Sequence, residues 1–145
     1  MTDTLFAFSE HILDRVEDIF AGREVARPLT DEEGYVLVVL RLHVGKANSI
    51  ARADLCEQTG IADRTVRAIV SDLRLQFALP IGSNRENGGY YLPETLAEVS
   101  ELTEPMVRQA LSLLRSVRSL RGRSATAELL GQVRIELQSS EEEEQ

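Results

Sequence analysis

The chain has 145 residues, 43% hydrophobic and 5% aromatic, and a formal net charge of −8; this suits one ordinary domain on an aliphatic core with an extra helix or two, and argues against a strong nonspecific nucleic-acid binder. The single cysteine, Cys56, excludes an intrachain disulfide and a cysteine-rich metal site. No apolar run approaches the roughly 18–20 residues of a membrane span, and the N-terminal residues lack the basic flank and cleavage pattern of a secretory signal, so no membrane association and a cytoplasmic location are expected.

In chain order, residues 4–21 carry Leu5, Phe8, Ile12, Val16 and Ile19 at helical steps of three and four, with Gly22 as the stop. This amphipathic helix either covers the domain or pairs with its own copy. Residues 23–29, with Pro28, read as a linker, so 1–29 form an N-terminal helix and linker. Thr30 and Glu33 have the spacing of a capping box. The helix that follows, with Tyr35, Val36, Leu37, Val38, Val39, Leu40 and Leu42, is apolar nearly all round. It is expected to be the central buried helix, stopped by Gly45. Ser49 and Ile50 suggest a short third strand.

Residues 51–92 are the most informative. A short helix over 51–59 stops at Gly60, where glycine accepts a left-handed cap without steric cost. A second helix over 63–77 puts Val66, Ile69, Val70, Leu73 and Phe77 on one face. Arg64, Arg67, Ala68 and Ser71, with Thr65 beside them, fall on the other. Guanidinium forks and hydroxyls near a helix N-terminus are the groups that pair with base edges and phosphates in a major groove. After Pro80, the run from Ile81 through a Gly/Asn-rich loop to Tyr90, Tyr91 and Leu92 predicts a β-hairpin with Asn84 and Arg85 near its tip.

A further helix starts after Pro93, with a kink or break expected near 103–105, where Thr103 can cap and Pro105 falls in a first turn. Val99, Leu102, Met106, Ala110, Leu113, Val117 and Leu120 recur at steps of three and four, a coiled-coil-like seam. Gly122 ends it. A last helix over 124–138 has Ala127, Leu130, Val133 and Leu137 on one side, and 139–145 is an acidic tail expected to be disordered.

Taken together, helix 51–59, Gly60-Ile61, helix 63–77 and hairpin 80–92 resemble the winged helix-turn-helix of the biotin-repressor type. The match extends to small winged-helix proteins of phages and prophages, in GIADRTVRAIVSDLR, in PIGSNRENGGYYL and in the Arg- and Leu-rich helix after the hairpin. It covers roughly residues 30–123. One departure is Ala62, where the family often has Ser or Thr; the cap must then come from Asp63 or be lost. The resemblance implies a mainly α fold with a small β-wing: a winged helix-turn-helix over 30–93, flanked by N-terminal and C-terminal helices, the latter over 94–138. It also implies a sequence-specific double-stranded DNA-binding protein with a regulatory or replication-associated role.

On that reading Arg52, Asp63, Arg64, Thr65, Arg67, Ala68, Ser71, Asn84 and Arg85 are the expected DNA-binding residues. Leu5, Phe8, Ile12, Leu102, Met106, Leu113, Val117 and Leu120 are the expected homodimer contacts. Charge is uneven: residues 1–45 carry −5, 46–92 +1, 93–104 −4, 105–127 +5 and 128–145 −5. The acidic stretches leave a second reading open, an adaptor that keeps the winged fold and binds a protein partner instead of DNA. A third, an effector-responsive regulator, lacks a recognisable sensor domain.

No phosphate-binding glycine loop, nucleotide fingerprint or hydrolase elbow occurs. His11 and His43 are single and far apart, and Cys56 reads as a core residue. Neither an enzyme nor a cofactor is expected.

Overall fold

The computed structural model describes the backbone of residues 2–143 and the side chains of residues 11–139. The elements are α1 (Thr2–Ala21), α2 (Asp31–Leu40), a 3-10 turn (Lys46–Asn48), α3 (Arg52–Thr59), α4 (Asp63–Leu75), β1 (Gly82–Asn84), β2 (Gly89–Tyr91), α5 (Leu96–Arg121) and α6 (Arg123–Glu143). The chain is thus mainly helical with a small antiparallel sheet. It divides into two units, Met1–Leu102 and Thr103–Gln145.

In the first unit the helical stripes converge on one aliphatic core. Ile12, Val16 and Ile19 of α1 meet Val36, Leu37 and Leu40 of α2, Leu55 of α3 and Val66, Ile69, Val70 and Leu73 of α4. Phe77, Leu79, Ile81, Tyr90 and Leu92 complete it. Burial of such side chains stabilises by about 1.5–3 kcal/mol each before entropy is counted.

Ile12 is only 2% exposed, so it is spent inside this chain and is not free for a dimer contact. The side chains of Leu5 and Phe8 lie outside the described residues. Helix α2 departs from expectation in two ways. It ends at Leu40 rather than running to Gly45, and it is not buried all round: Tyr35, Val38 and Leu42 stand exposed. The sequence run is apolar on every face, but only one side of α2 has neighbours to pack against.

The start of α2 is fastened as its sequence suggests. Thr30 Oγ1 accepts from the Glu33 backbone N–H at 3.2 Å, and the Thr30 N–H donates to Glu33 Oε1 at 2.9 Å. Arg27, in the segment read as a linker, then closes on Glu33 with two bonds of 2.7 Å. Its guanidinium lies over the Phe77 ring, 4.9 Å from the centroid, and its Nε donates to Gln76. The hydrogen bond from Arg27 holds the Glu33 carboxyl below the usual carboxylate range, against the opposing effect of burial.

The sheet pairs Gly82 with Tyr91, Ser83 with Tyr90 and Asn84 with Gly89. Ile50 extends it, exchanging two 2.9 Å backbone bonds with Tyr90, at the place where a third strand was expected. This approach is close enough to require glycine next door: a Cβ on Gly89 would lie 1.9 Å from the Ile50 carbonyl oxygen. Past α4 the chain reverses at Ala78, which adopts φ +52 while the Leu79 N–H reaches back to the Leu73 carbonyl at 3.1 Å.

Of the kink or break expected near 103–105 the break does not occur: α5 runs through Pro105 as one continuous helix. Proline removes the hydrogen bond to the carbonyl four residues earlier, yet long flanking runs of helix-forming residues carry the helix past it. None of its side chains is buried. Met106, Leu113 and Leu120 are exposed, Leu102 and Val117 half-buried. Helix α6 begins one residue after α5 and extends to Glu143, so most of the tail expected to be disordered is helical, as glutamate's helix propensity allows. Around the joint Leu114 and Val117 of α5 and Ala125 and Leu129 of α6 are half-buried, and Thr126 is buried.

Candidate nucleic-acid interface

Helix α4 presents two chemically distinct sides. Val66, Ile69, Val70 and Leu73 are buried, which fixes the rotation of the helix and turns Asp63, Arg64, Arg67, Ala68 and Ser71 outward, with Thr65 half-buried at the edge. The expected polar ridge is therefore a surface, and its orientation is set by the core beneath it.

Asp63 does not cap the helix. Ala62 occupies the N-cap position with no side-chain bond, and Asp63 is the first helical residue. Its carboxylate instead pairs with two of the expected DNA-contacting cations, Arg52 through Oδ1 and Arg67 through Oδ2, the latter at 3.0 Å. A carboxylate in the first turn suits the helix dipole, and a pair four residues apart suits helix geometry. Burial lowers the Arg52 pKa, but the bond and charge of Asp63 outweigh it and raise the group overall. All three side chains keep contact with solvent, at 35%, 48% and 57% exposure for Arg52, Asp63 and Arg67. The pairing is accordingly weak and open to exchange with another anion. Arg64 is different: it is exposed and has no partner among the described residues.

The hairpin separates its two expected contacts. Arg85 is exposed in the turn. Asn84 is 8% exposed and faces inward, which removes it from any contact surface. Its amide donates to Ser49 Oγ at 2.9 Å and its carbonyl oxygen accepts from the Glu86 N–H at 3.0 Å. Asn84 is the last residue of β1, where burial alternates through Gly82, Ser83 and Asn84, whereas Arg85 is the first residue of the turn beyond it.

Two further residues shape the surface without having been singled out. Arg74 donates from Nε to the Ile81 carbonyl at 2.8 Å and from Nη2 to Ser83 Oγ at 2.9 Å, and it sits over the Tyr90 ring. It ties the last turn of α4 to the sheet, and burial pushes its pKa down. Its place in the last turn, just before the hairpin, was the available signal. Asn87 donates to Ser49 Oγ at 3.0 Å and accepts from the Gly89 N–H, which holds the hairpin turn against the segment before α3.

Between the start of α3, the α3–α4 turn and the hairpin turn lies an open cleft of about 480 Å³, lined by Arg52, Cys56, Ile61, Asp63, Asn87 and Gly88. Cys56 is half-exposed there and not fully buried as its helical neighbours suggested. Among the described residues no helix is long and apolar enough to cross a membrane. Comparison of the chain with protein families, with curated proteins and with solved structures finds no match.

Proposed function

We propose that this chain is a winged-helix protein that binds double-stranded DNA sequence-specifically, as a dimer, in a transcriptional or phage- or prophage-type replication role. The N-terminal half of α4 enters the major groove, and Arg85 meets the backbone from the hairpin. The observation that carries this reading is Arg64, exposed and without a partner among the described residues, beside Arg67, Ala68 and Ser71, on a face whose orientation the core fixes. Such a face supplies base-reading forks and room for close approach. Arg52, Arg67 and Arg85 add phosphate contacts, so affinity falls steeply with salt.

Fluorescence anisotropy against a random-site duplex library, at low and moderate salt, tests it. Arg64→Ala is expected to weaken the selected site by about 1–3 kcal/mol, the cost of a lost base contact. A selected duplex held equally well without Arg64 and Arg67 would refute the assignment.

A second reading, a winged-helix adaptor for a protein partner, draws on two observations. Asp63 neutralises part of the cationic ridge, and Tyr35, Val38 and Leu42 expose apolar surface around α2. On that reading no duplex is selected at any salt concentration, and Tyr35→Glu abolishes capture of the partner.

A further inference from the structure

From Pro105 onward, α5 concentrates positive charge on an acidic chain. Residues 105–127 hold Arg108, Arg115, Arg118, Arg121 and Arg123 and no carboxylate, a local +5 on a chain of net −8. Arg108 reaches only Glu104, at 3.9 Å, and its side chain stays 70% exposed. The guanidiniums of Arg115, Arg118, Arg121 and Arg123 are exposed and have no partner among the described residues. The first unit uses its arginines differently: Arg15, Arg23, Arg27, Arg52, Arg67 and Arg74 each donate to a protein acceptor.

Local stability does not account for this charge. Arg115, Arg118 and Arg121 follow one another at steps of three, where like charges on a helix repel. Arg118 and Arg121 fall in the last turn and suit the helix dipole, but Arg108 and Arg115 lie before it. At about 100° per residue, Arg108 and Arg115 stand opposite the stripe of Met106, Ala110, Leu113, Val117 and Leu120, with Arg118 beside them. An element that packs on that stripe, from this chain or from another copy, therefore leaves these three arginines in water. The carboxylates at the start of α5 are committed elsewhere. Glu98 accepts from the Lys46 and Glu94 N–H groups at 3.1 and 2.7 Å, and Glu101 pairs with Lys46 Nζ at 3.0 Å.

We propose that Arg108, Arg115 and Arg118 form a contact surface for the phosphate backbone of duplex DNA that reads no sequence. A guanidinium fork matches two phosphate oxygens at once and sheds its water more readily than an ammonium does. Arg108 and Arg115 stand about 10.5 Å apart along the helix, at 1.5 Å per residue, so one phosphate does not serve both. A helix lying on a membrane buries its apolar stripe and turns the opposite face to water, where Arg115 meets no headgroup. The inference rests on the duplex-binding reading and extends it from base contacts to affinity that every duplex shares.

Fluorescence anisotropy of the full chain with a duplex of scrambled sequence, over about 50–200 mM salt, tests it. Replacing all three arginines, Arg108→Gln, Arg115→Gln and Arg118→Gln, is expected to weaken binding and to flatten the slope of log K against log salt by about 2–3, at roughly 0.9 per lost phosphate contact. Helix content by circular dichroism should match the wild type. The corresponding Arg→Lys triple variant keeps the three charges and is expected to retain most of the slope.

An unchanged slope in the Gln variant overturns the proposal, and so does a Lys variant that loses as much slope as the Gln variant. Vesicles of phosphatidylserine supply the comparison. Arginine-dependent capture by vesicles, with the duplex slope unaltered, would assign the face to a lipid surface and overturn it as well. Arg64→Ala, read against the selected duplex, separates the failures. Selection lost with Arg64 while the Gln variant keeps its slope removes only the α5 surface. A slope that flattens in the Gln variant, with no duplex selected by the wild type, removes only the sequence-specific reading.

Discussion

Helices α1 and α5 are similarly amphipathic and end in opposite situations. The stripe of α1 passes through Ile12, Val16 and Ile19 into a core closed by α2, α3 and α4. The stripe of α5, through Met106, Leu113 and Leu120, meets solvent, and no side chain of that helix is buried. Apolar periodicity states that a face favours cover and not which surface supplies it. In the first unit, short connections and a capped α2 bring the covering elements together within the chain. In the second, α5 and α6 meet at a one-residue joint and much of each stripe stays exposed.

The largest expected effect tests that contrast directly. Phe77→Ala opens a cavity in the closed core and should cost about 3–5 kcal/mol in urea unfolding. Leu120→Ala, measured at low protein concentration, should stay within about 0.5 kcal/mol. Equal losses would show that the two stripes are covered alike.

Polar closure differs between regions in the same way. Glu33 is enclosed with Arg27 over Phe77, whereas Asp63 holds Arg52 and Arg67 at the surface. Because Arg27 holds the Glu33 carboxyl below its ordinary range, the unfolded chain takes up that proton first as pH falls. Its contribution is complete above the unfolded pKa and is lost as pH drops through the folded one. Glu33→Gln should therefore lower the urea midpoint at neutral pH and flatten the acid limb; an unchanged acid limb would place the titration elsewhere.

Arg52→Ala with Arg67→Ala should leave stability nearly unaltered and remove two guanidiniums from the duplex. The slope of log K against log salt is then expected to flatten by about 1–2, since each lost phosphate contact contributes roughly 0.9. An unaltered slope would show that Arg52 and Arg67 do not reach DNA. The smallest effect belongs to Ala78, a non-glycine residue at φ +52. Ala78→Gly relieves a left-handed strain of about 1–2 kcal/mol but adds freedom to the unfolded chain. A net gain of about 0.5–1 kcal/mol in the same unfolding assay is expected.

Several features were legible because their causes are local. The Thr30–Glu33 capping box, the left-handed Gly60 stop and the buried face of α4 depend on residues within a few positions of one another. What was not legible depends on neighbours distant in sequence. Asn84 and Arg85 read alike as loop residues, and only the pairing of β1 with β2, beside Ser49, decides which one turns inward. Asp63 read as a possible cap until the approach of Arg52 from α3 gave its carboxylate another partner. Helix α2 read as buried on all sides because a hydropathy pattern does not count the elements available to surround it. Pro105 read as a kink or break because proline's local cost is fixed, and the helix continues because the runs on either side of it are cooperative.

By itself the sequence determined the helical periods, their caps, the hairpin, and a cationic ridge on the polar side of residues 63–75. Those follow from backbone geometry and side-chain chemistry over a few residues. Tertiary structure alone decided that Arg52 and Arg67 share Asp63 while Arg64 has no partner among the described residues, and that Asn84 is internal. Each is a competition for one partner between groups far apart in the chain, and its outcome depends on distances that folding sets.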